Sequence, residues 1–474
     1  MKHRFVCLLF LFNIILVSGK NKLTPLDFGI NDVNTGVDRY WVLYKTHVEA
    51  LKNGCNIDYG KIDTIKIEIP KDAKPIPLPP QTNFSNTVII VLNQIGTFTL
   101  FSMINELVPF ETTIEQFEEL RRINNKENAI VVIEDSVPWV NNRIGYSNGH
   151  ARKDVVYINK GRVNGTLISP YNVNGSKPMF FMGKVNVGRK VFENLTLIRD
   201  KASAYKTFVL DVENQYNIII RNLRIETPEN NWYEDNAVKI GNSYKIRLDN
   251  IYINRTYSQK DKYGYGITLN NVQDIKINNL KTHSAWGIFG NNNVNNARLK
   301  DCDINRFDIH CYGRNVSFEH CIFRDLYNQF SSIYGTISFK KCVFIETTPI
   351  LIESSYNAYT PFDLYFNDCI FSFNKKRNYI MTLFGVPKQD NERTELKKKC
   401  LPNITLKNCY INLSDDLDNW YLIWTGGDNW KGRFDYISSI NITGIKVNVE
   451  KELKLFSEEI NTVNPIDLKV RIKK

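Results

Sequence analysis

No two cysteines of this chain stand in a Cys-x-x-Cys spacing, and His310-Cys311 by itself makes no metal site. Acidic residues nowhere crowd closely enough to demand Ca²⁺. After Val17 no stretch approaches 18 uninterrupted apolar residues, which excludes a later membrane-spanning helix and leads us to expect a soluble mature chain. What the first residues do hold is a leader. Lys2, His3 and Arg4 precede an apolar run from Phe5 to Val17, broken by Asn13, and Ser18-Gly19 supplies small residues for cleavage. Residues 1–19 thus read as a secretory signal peptide, placing the protein in the periplasm, on the cell surface or outside the cell. Cys7 lies inside the run, away from the position of a lipoprotein cysteine.

The net charge is +11, and losing Lys2 and Arg4 with the leader leaves +9. A basic exported protein attracts anionic partners over long range. Export favours an acidic polysaccharide over nucleic acid.

The 474 residues are 43% hydrophobic, enough for a large core, and one phrase recurs through them. Alternating aliphatics lead to a polar pair, then a small apolar residue. It appears as Phe192-Glu193-Asn194-Leu195, Ile220-Arg221-Asn222-Leu223, Leu248-Asp249-Asn250-Ile251 and Ile277-Asn278-Asn279-Leu280. The place after the polar pair then passes to Cys302, Cys321, Cys342, Cys369 and Cys409. The spacings from Leu195 onward are 28, 28, 29, 22, 19, 21, 27 and 40 residues. Strand chemistry at such a period means a solenoid in which each turn covers the next. Asn194, Asn222, Asn250 and Asn279 occupy one corner and read as turn residues. Eight cysteines remain after the leader is removed, and an exported chain invites disulfides. Five share one place in successive turns, however, so an inward ladder of free thiols is the better reading.

We divide the chain into the leader (1–19), an N-terminal cap with entry strands (20–85), a strand solenoid with loop insertions (86–450) and a C-terminal cap or tail (451–474). In the cap, Trp41, Tyr44, Val48 and Leu51 fall at helical spacing, Gly54 stops that helix, and Ile65–Ile69 alternates as a strand before a proline cluster. Thr112–Arg122 reads as a polar helix and Trp139–Asp154 as a flanking loop.

These features resemble the right-handed parallel β-helix proteins of the pectin-lyase-like superfamily. Asp27-Phe28-Gly29, Asp32, Asp38 and the helix look like the N-terminal cap of its pectate-lyase-3 group. That group's Gly-Asp-Gly turn is here Asn31-Asp32-Val33, and its Thr-Asp-Asp-Thr helix start is Val37-Asp38-Arg39-Tyr40. Trp286-Gly287-Ile288-Phe289-Gly290 and Asn305-Arg306-Phe307-Asp308-Ile309-His310 look like stretches of exported Bacteroidetes β-helix proteins. The resemblance implies an all-β, right-handed parallel β-helix with an N-terminal capping helix. Glu234-Asp235-Asn236-Ala237-Val238-Lys239 resembles the acidic run of polygalacturonase-like hydrolases, but Asn236 stands where a second acid is needed, and the Gly-His-Gly and Arg-x-Lys signatures are missing.

Chemistry must then sit on the outward side of the coil. Asp308 falls six residues after Cys302 and Tyr327 six after Cys321. With Ile309 and Ile352 inward, Asp308, His310 and Glu353 face outward on one side. Asp308 and Glu353 form a candidate acid–base pair, with His310 as partner or helper. Arg306 is placed to clamp a uronate or sulfate, and Tyr265 and Trp286 to stack on sugar rings. A hydrolase of an acidic polysaccharide is the leading reading. A β-eliminating lyase is the alternative, with Lys262, Lys239, Arg306 or Tyr265 as base or charge neutraliser. A non-catalytic glycan-binding or structural solenoid is the third. No cofactor is expected, except Ca²⁺ if the protein is a lyase.

Overall fold

The structure, a computed structural model, describes residues 21–30, 35–94, 96–118, 127–140, 150–168, 171, 174–199, 207–226, 236–254, 265–283, 287–324, 327–330, 333–353, 362–374, 378–384, 400–417, 419–424, 436–437, 439–448, 452–456 and 469–473. The expected leader lies outside them.

The chain winds as a right-handed parallel β-helix. Each complete turn adds one strand to each of three parallel faces. The first face runs through Phe98–Ile104, Thr207–Glu213, the opening residues of Asn236–Asn254 and of Tyr265–His283, and on to Asn419–Trp424. The second face holds the strand centred on Ile218–Arg221 and its successors, and the third begins just beyond the Asn–Leu corner.

That corner explains the recurring phrase. Asn194, Asn222, Asn250 and Asn279 all have φ between 51° and 62°, a left-handed conformation that asparagine tolerates. Their amides form a ladder. Asn222 donates to Asn194 (2.7 Å), Asn250 to Asn222 (3.0 Å) and Asn279 to Asn250 (2.9 Å). The bend turns the following Leu195, Leu223, Ile251 and Leu280 into the core, where all are buried. From Cys302 onward thiols fill this place. Cys302, Cys321, Cys342, Cys369 and Cys409 are free and buried, as expected of a ladder without bridges. A hydrogen bond given to Cys321, together with burial, pushes the Cys302 thiol far up. Beside them two columns of phenylalanine stack face to face. Phe318, Phe339 and Phe366 are spaced 4.7 and 5.0 Å, and Phe323, Phe344 and Phe371 4.9 and 5.0 Å.

A helix, Gly36–Asn53, closes the first turn. Thr35 and Asp38 form a reciprocal capping box, and Gly54 ends the helix at φ 66°. The face it buries is not the expected Trp41–Tyr44–Val48–Leu51 stripe; Leu51 is 43% exposed. Tyr40, Leu43, Thr46, His47 and Ala50 go inward instead. Two of these are polar, which hid the stripe from a hydrophobic count, but both are satisfied. Thr46 donates to Val42 O (2.8 Å). His47 bridges Pro77 O (2.9 Å) and the Tyr59 hydroxyl (3.0 Å). A carbonyl only accepts, so Nδ1–H donates to Pro77 and Nε2 accepts from Tyr59. Burial holds this imidazole neutral and pushes its pKa down to about 3.

Between the first-face strand ending at Ile104 and the second-face strand starting at Lys190 lies an insertion that is more than a loop. Five strands pair antiparallel in the order Arg162–Asn164, His150–Asn159, Ala129–Val140, Pro178–Lys184 and Val108–Pro109. One side of this sheet has its own small core around Phe117, Val131, Ile133 and Phe180, beneath the helix Ile114–Glu118. The other side packs Ile130, Val132, Val155 and Tyr157 on the solenoid, with Tyr157 stacked on Tyr216 at 3.8 Å. The residues expected to be a loop from Trp139 to Asp154 include paired strand at both ends; residues 141–149 lie outside the described set. At the other end of the coil, Glu452–Phe456 and Lys469–Lys473 add parallel strands to the first and second faces and so continue the winding.

Among the described residues no helix is long and apolar enough to cross a membrane.

Candidate functional site

Parallel register lines up one outward column across the first face. It reads Asp211, Lys239, Thr268, Gly290, Asp308, Gln329, Leu351 and Thr382. Successive members are one strand spacing apart, about 4.8 Å. On either side of Asp308 stand a residue without a side chain, Gly290, and an amide, Gln329. Phe307 and Ile309 point into the core, so Arg306, Asp308 and His310 share the outer side, as alternation predicts.

A β-bulge breaks the alternation at this point. Asn291 pairs with Ile309 and Asn292 with Cys311, leaving His310 as the extra residue. Bulges re-aim side chains, and this one turns the imidazole toward its neighbours. His310 Nε2 lies 3.3 Å from Asp308 Oδ2 and 3.3 Å from the Tyr265 hydroxyl. Asp308 Oδ2 is also 2.5 Å from Arg306 Nε. Arg306 in turn donates to Gln329 Oε1 at 3.1 Å, and its guanidinium lies 4.4 Å from the centre of the Tyr327 ring. The result is a layered cluster: an arginine held by a phenol ring and an amide, a carboxylate on the arginine, an imidazole on the carboxylate, and a second phenol on the imidazole.

Burial divides the roles. Asp308 is 0% and Arg306 3% exposed, whereas the His310 side chain is 20% exposed. Two expectations need correction. Arg306 is no clamp for a uronate or sulfate, because its charge is spent on Asp308 beneath the surface. Asp308 is no acid in contact with substrate, because nothing outside the protein reaches it. Of the expected residues, His310 and Tyr265 keep access to solvent. Glu353 ends the strand Thr348–Glu353, in phase with outward Leu351 and two strands beyond His310; its side chain lies outside the described set. Trp286 and Lys262 lie outside the described residues altogether, as does Asp235 of the earlier acidic run.

Lys239, a candidate base or charge neutraliser from sequence, centres a second polar cluster on the same column whose carboxylates, Asp211 and Glu213, sequence reasoning missed. Lys239 Nζ bridges Glu213 Oε1 (2.5 Å) and Asp211 Oδ2 (3.3 Å). Burial, with Glu213 nearby, raises the Asp211 carboxyl above its ordinary value despite Lys239. Lys239 itself is raised: burial opposes its charge, but the two carboxylates outweigh it. The phase of Asp211 and Glu213 against inward Leu210 and Val212 was a usable signal. Tyr312 was missed too. Its hydroxyl donates to Ala151 O (2.8 Å) and accepts from Lys153 N (3.0 Å), tying the inserted sheet to the strand that carries His310.

Among the described residues, no group of three or more His, Cys, Asp or Glu is arranged to hold a metal ion. No family model and no curated protein matches the chain. Solved structures do. The tailspike protein gp49 from Pseudomonas phage LKA1 superposes with a TM-score of 0.60 at 12% identity, over 94% of this chain and 81% of that one. The tailspike gp61 of Pseudomonas phage phi297 gives a TM-score of 0.50 at 9% identity, over 94% and 84%. At these identities the likeness is one of architecture, and with the three parallel faces and the Asn corner it shows that this chain has a right-handed parallel β-helix fold.

Proposed function

We propose that the protein is an exported enzyme that lays an acidic polysaccharide across the first face and cleaves it by β-elimination. One observation carries this reading: a solvent-reaching imidazole, His310, is held between a fully buried carboxylate and a phenol. With Nε2–H directed to Asp308, the lone pair lies on Nδ1, where it can accept a proton. In this reading His310 takes the proton from the carbon beside the uronate carboxyl. The electron pair left behind becomes the new double bond as the bond to the neighbouring glycosidic oxygen breaks. That oxygen takes its proton from the Tyr265 hydroxyl. Asp308 orients the ring and balances the imidazolium; Arg306 keeps Asp308 in place.

Hydrolysis, the leading expectation from sequence, has less support. It calls for two carboxyl groups facing the substrate, about 5–9.5 Å apart. Asp308, one of the intended pair, sits beneath the surface in an ion pair. The surplus of positive charge over the chain supports an anionic substrate under either chemistry.

The test is a panel of uronate-containing and sulfated polysaccharides. Elimination yields ultraviolet absorbance from the new double bond together with new chain ends. His310→Ala and Tyr265→Phe should each lower kcat about 10²- to 10⁴-fold. New reducing ends without that absorbance would replace elimination by hydrolysis. Binding without any product would make the solenoid a glycan binder.

A further inference from the structure

The second polar centre lines a groove of about 370 Å³ where the inserted sheet meets the first face. Glu213, Lys239, Asn270 and Asn292 come from successive turns of the coil, and Lys153 and Tyr312 close the side toward the insertion. Gly241 lies between Glu213 and Asn270 in the register and leaves the hollow between them. The volume is within the range of a small-molecule site.

The charges in this groove are already paired. Lys239 is held by Glu213 and Asp211, and Lys153 Nζ lies 2.5 Å from Glu134 Oε1. A uronate or sulfate entering here meets carboxylates without a cation left over to offset them. What remains open is hydrogen-bonding capacity. Asn292 gives its amide N–H to Asn270 Oδ1 (3.1 Å), while its own Oδ1 has no partner among the described residues. Asn242, Asn271, Asn293 and Tyr312 also line the groove, so its wall is rich in amides that hydrogen-bond uncharged polar groups.

We propose that this groove is a subsite for an uncharged sugar residue bearing hydroxyl or acetamido groups, on the same polymer whose acidic residue lies at His310. Lys239 and Asp308 are three strands apart in one column, about 14 Å. The preferred substrate is therefore a heteropolymer, with a neutral residue at a set distance from the acidic residue that reacts. The insertion supplies the wall that makes the open face selective. This inference rests on the first face being the glycan-binding surface.

The experiment is titration calorimetry of the full chain with chitotriose, galactotriose and trigalacturonate. A β-carbon at Gly241 would meet the Glu213 carboxyl at 3.5 Å, an ordinary contact, so Gly241→Leu fills the groove without forcing the backbone. A neutral trisaccharide should bind the wild type and His310→Ala equally, and bind Gly241→Leu at least tenfold more weakly. Asn292→Ala, which removes one amide and adds no bulk, should weaken it several-fold and decides the matter if Gly241→Leu misfolds. Glu213→Gln frees part of the Lys239 charge and should raise affinity for trigalacturonate. Neutral binding indifferent to both groove variants, or no binding of either neutral trisaccharide, would each overturn the subsite. If neutral binding holds but no polysaccharide is cleaved, the elimination fails and the subsite stands. If cleavage depends on His310 yet ignores the groove variants, the reverse is true.

Discussion

Replacing Asp308 with asparagine separates what the buried cluster does for stability from what it does for chemistry. The Arg306 side chain is 4% exposed and the Asp308 side chain 0%, so the ion pair is out of water. Removing one partner of a buried pair costs about 3–5 kcal/mol, because the surviving charge is left uncompensated. An asparagine still accepts one hydrogen bond from the guanidinium, and the Tyr327 ring and Gln329 Oε1 stay in place. The loss for Asp308→Asn should therefore fall near the lower end, about 3 kcal/mol. The double variant Arg306→Met/Asp308→Leu removes both charges and keeps the volume, and apolar replacement of a buried pair is often neutral or stabilising. It should recover most of the stability while His310 remains without its partner. Urea unfolding midpoints compared at constant slope measure the first quantity. Product formation on the best polysaccharide of the panel measures the second, and both variants should lose about 10²-fold or more. An Asp308→Asn protein within about 0.5 kcal/mol of wild type would refute the claim that the pair is buried and coupled. A double variant that regains stability and full activity would refute the role given to Asp308 in orienting His310.

The capping helix gives a pH test. His47 has a folded pKa of about 3 against an ordinary value near 6.5, so between those values the unfolded chain binds a proton that the folded chain refuses. Stability should fall as pH drops through that window, by up to about 1.4 kcal/mol per pH unit, and His47→Gln should flatten the slope by close to one proton; an unchanged slope would contradict the assignment. The thiol ladder should make the unfolding midpoint indifferent to reductant, and Cys302, Cys321, Cys342, Cys369 and Cys409 should resist alkylation until the protein unfolds. At the Asn corner, Asn250→Val places a branched residue at φ 54° and breaks two ladder hydrogen bonds, for a loss of about 2–4 kcal/mol in urea unfolding; Asn250→Gly, which relieves the backbone, should cost less. Gln273 donates to Val155 O and Thr166 O and accepts from Thr166 N, so Gln273→Ala should speed amide exchange across residues 150–168 and leave the thiol ladder protected.

The winding was legible because each turn repeats one physical event. A left-handed corner residue, Asn in the early turns and Asp301, His320, Lys341 or Asp368 later, releases the next residue into the core, and that residue must be small enough to stack on the one below. Leu195 through Cys409 carry this signature whatever else varies between them. The inserted sheet carries no such signature. Ala129–Ile133 and Val155–Ile158 alternate and bury like any strand, and nothing local distinguishes an antiparallel partner from a parallel one. The cap helix was legible as a helix but not in its buried face, since Thr46 and His47 enter the core by satisfying their own hydrogen bonds rather than by being apolar.

The candidate site shows the same limit more sharply. Alternation correctly sent Arg306, Asp308 and His310 to the outer side of the coil, but outer is not the same as exposed. Once Tyr327, Gln329 and Tyr265 close over that stretch, Asp308 is as dry as Ile309 beneath it. Register fixes which side of a strand a residue takes; the side chains of neighbouring turns decide whether water reaches it. The bulge then matters more than the alternation. His310 is the extra residue at that register shift, and its imidazole meets both the Asp308 carboxylate and the Tyr265 phenol. An insertion of one residue leaves no periodic trace, so a site built on it is found by its hydrogen bonds and not by its spacing.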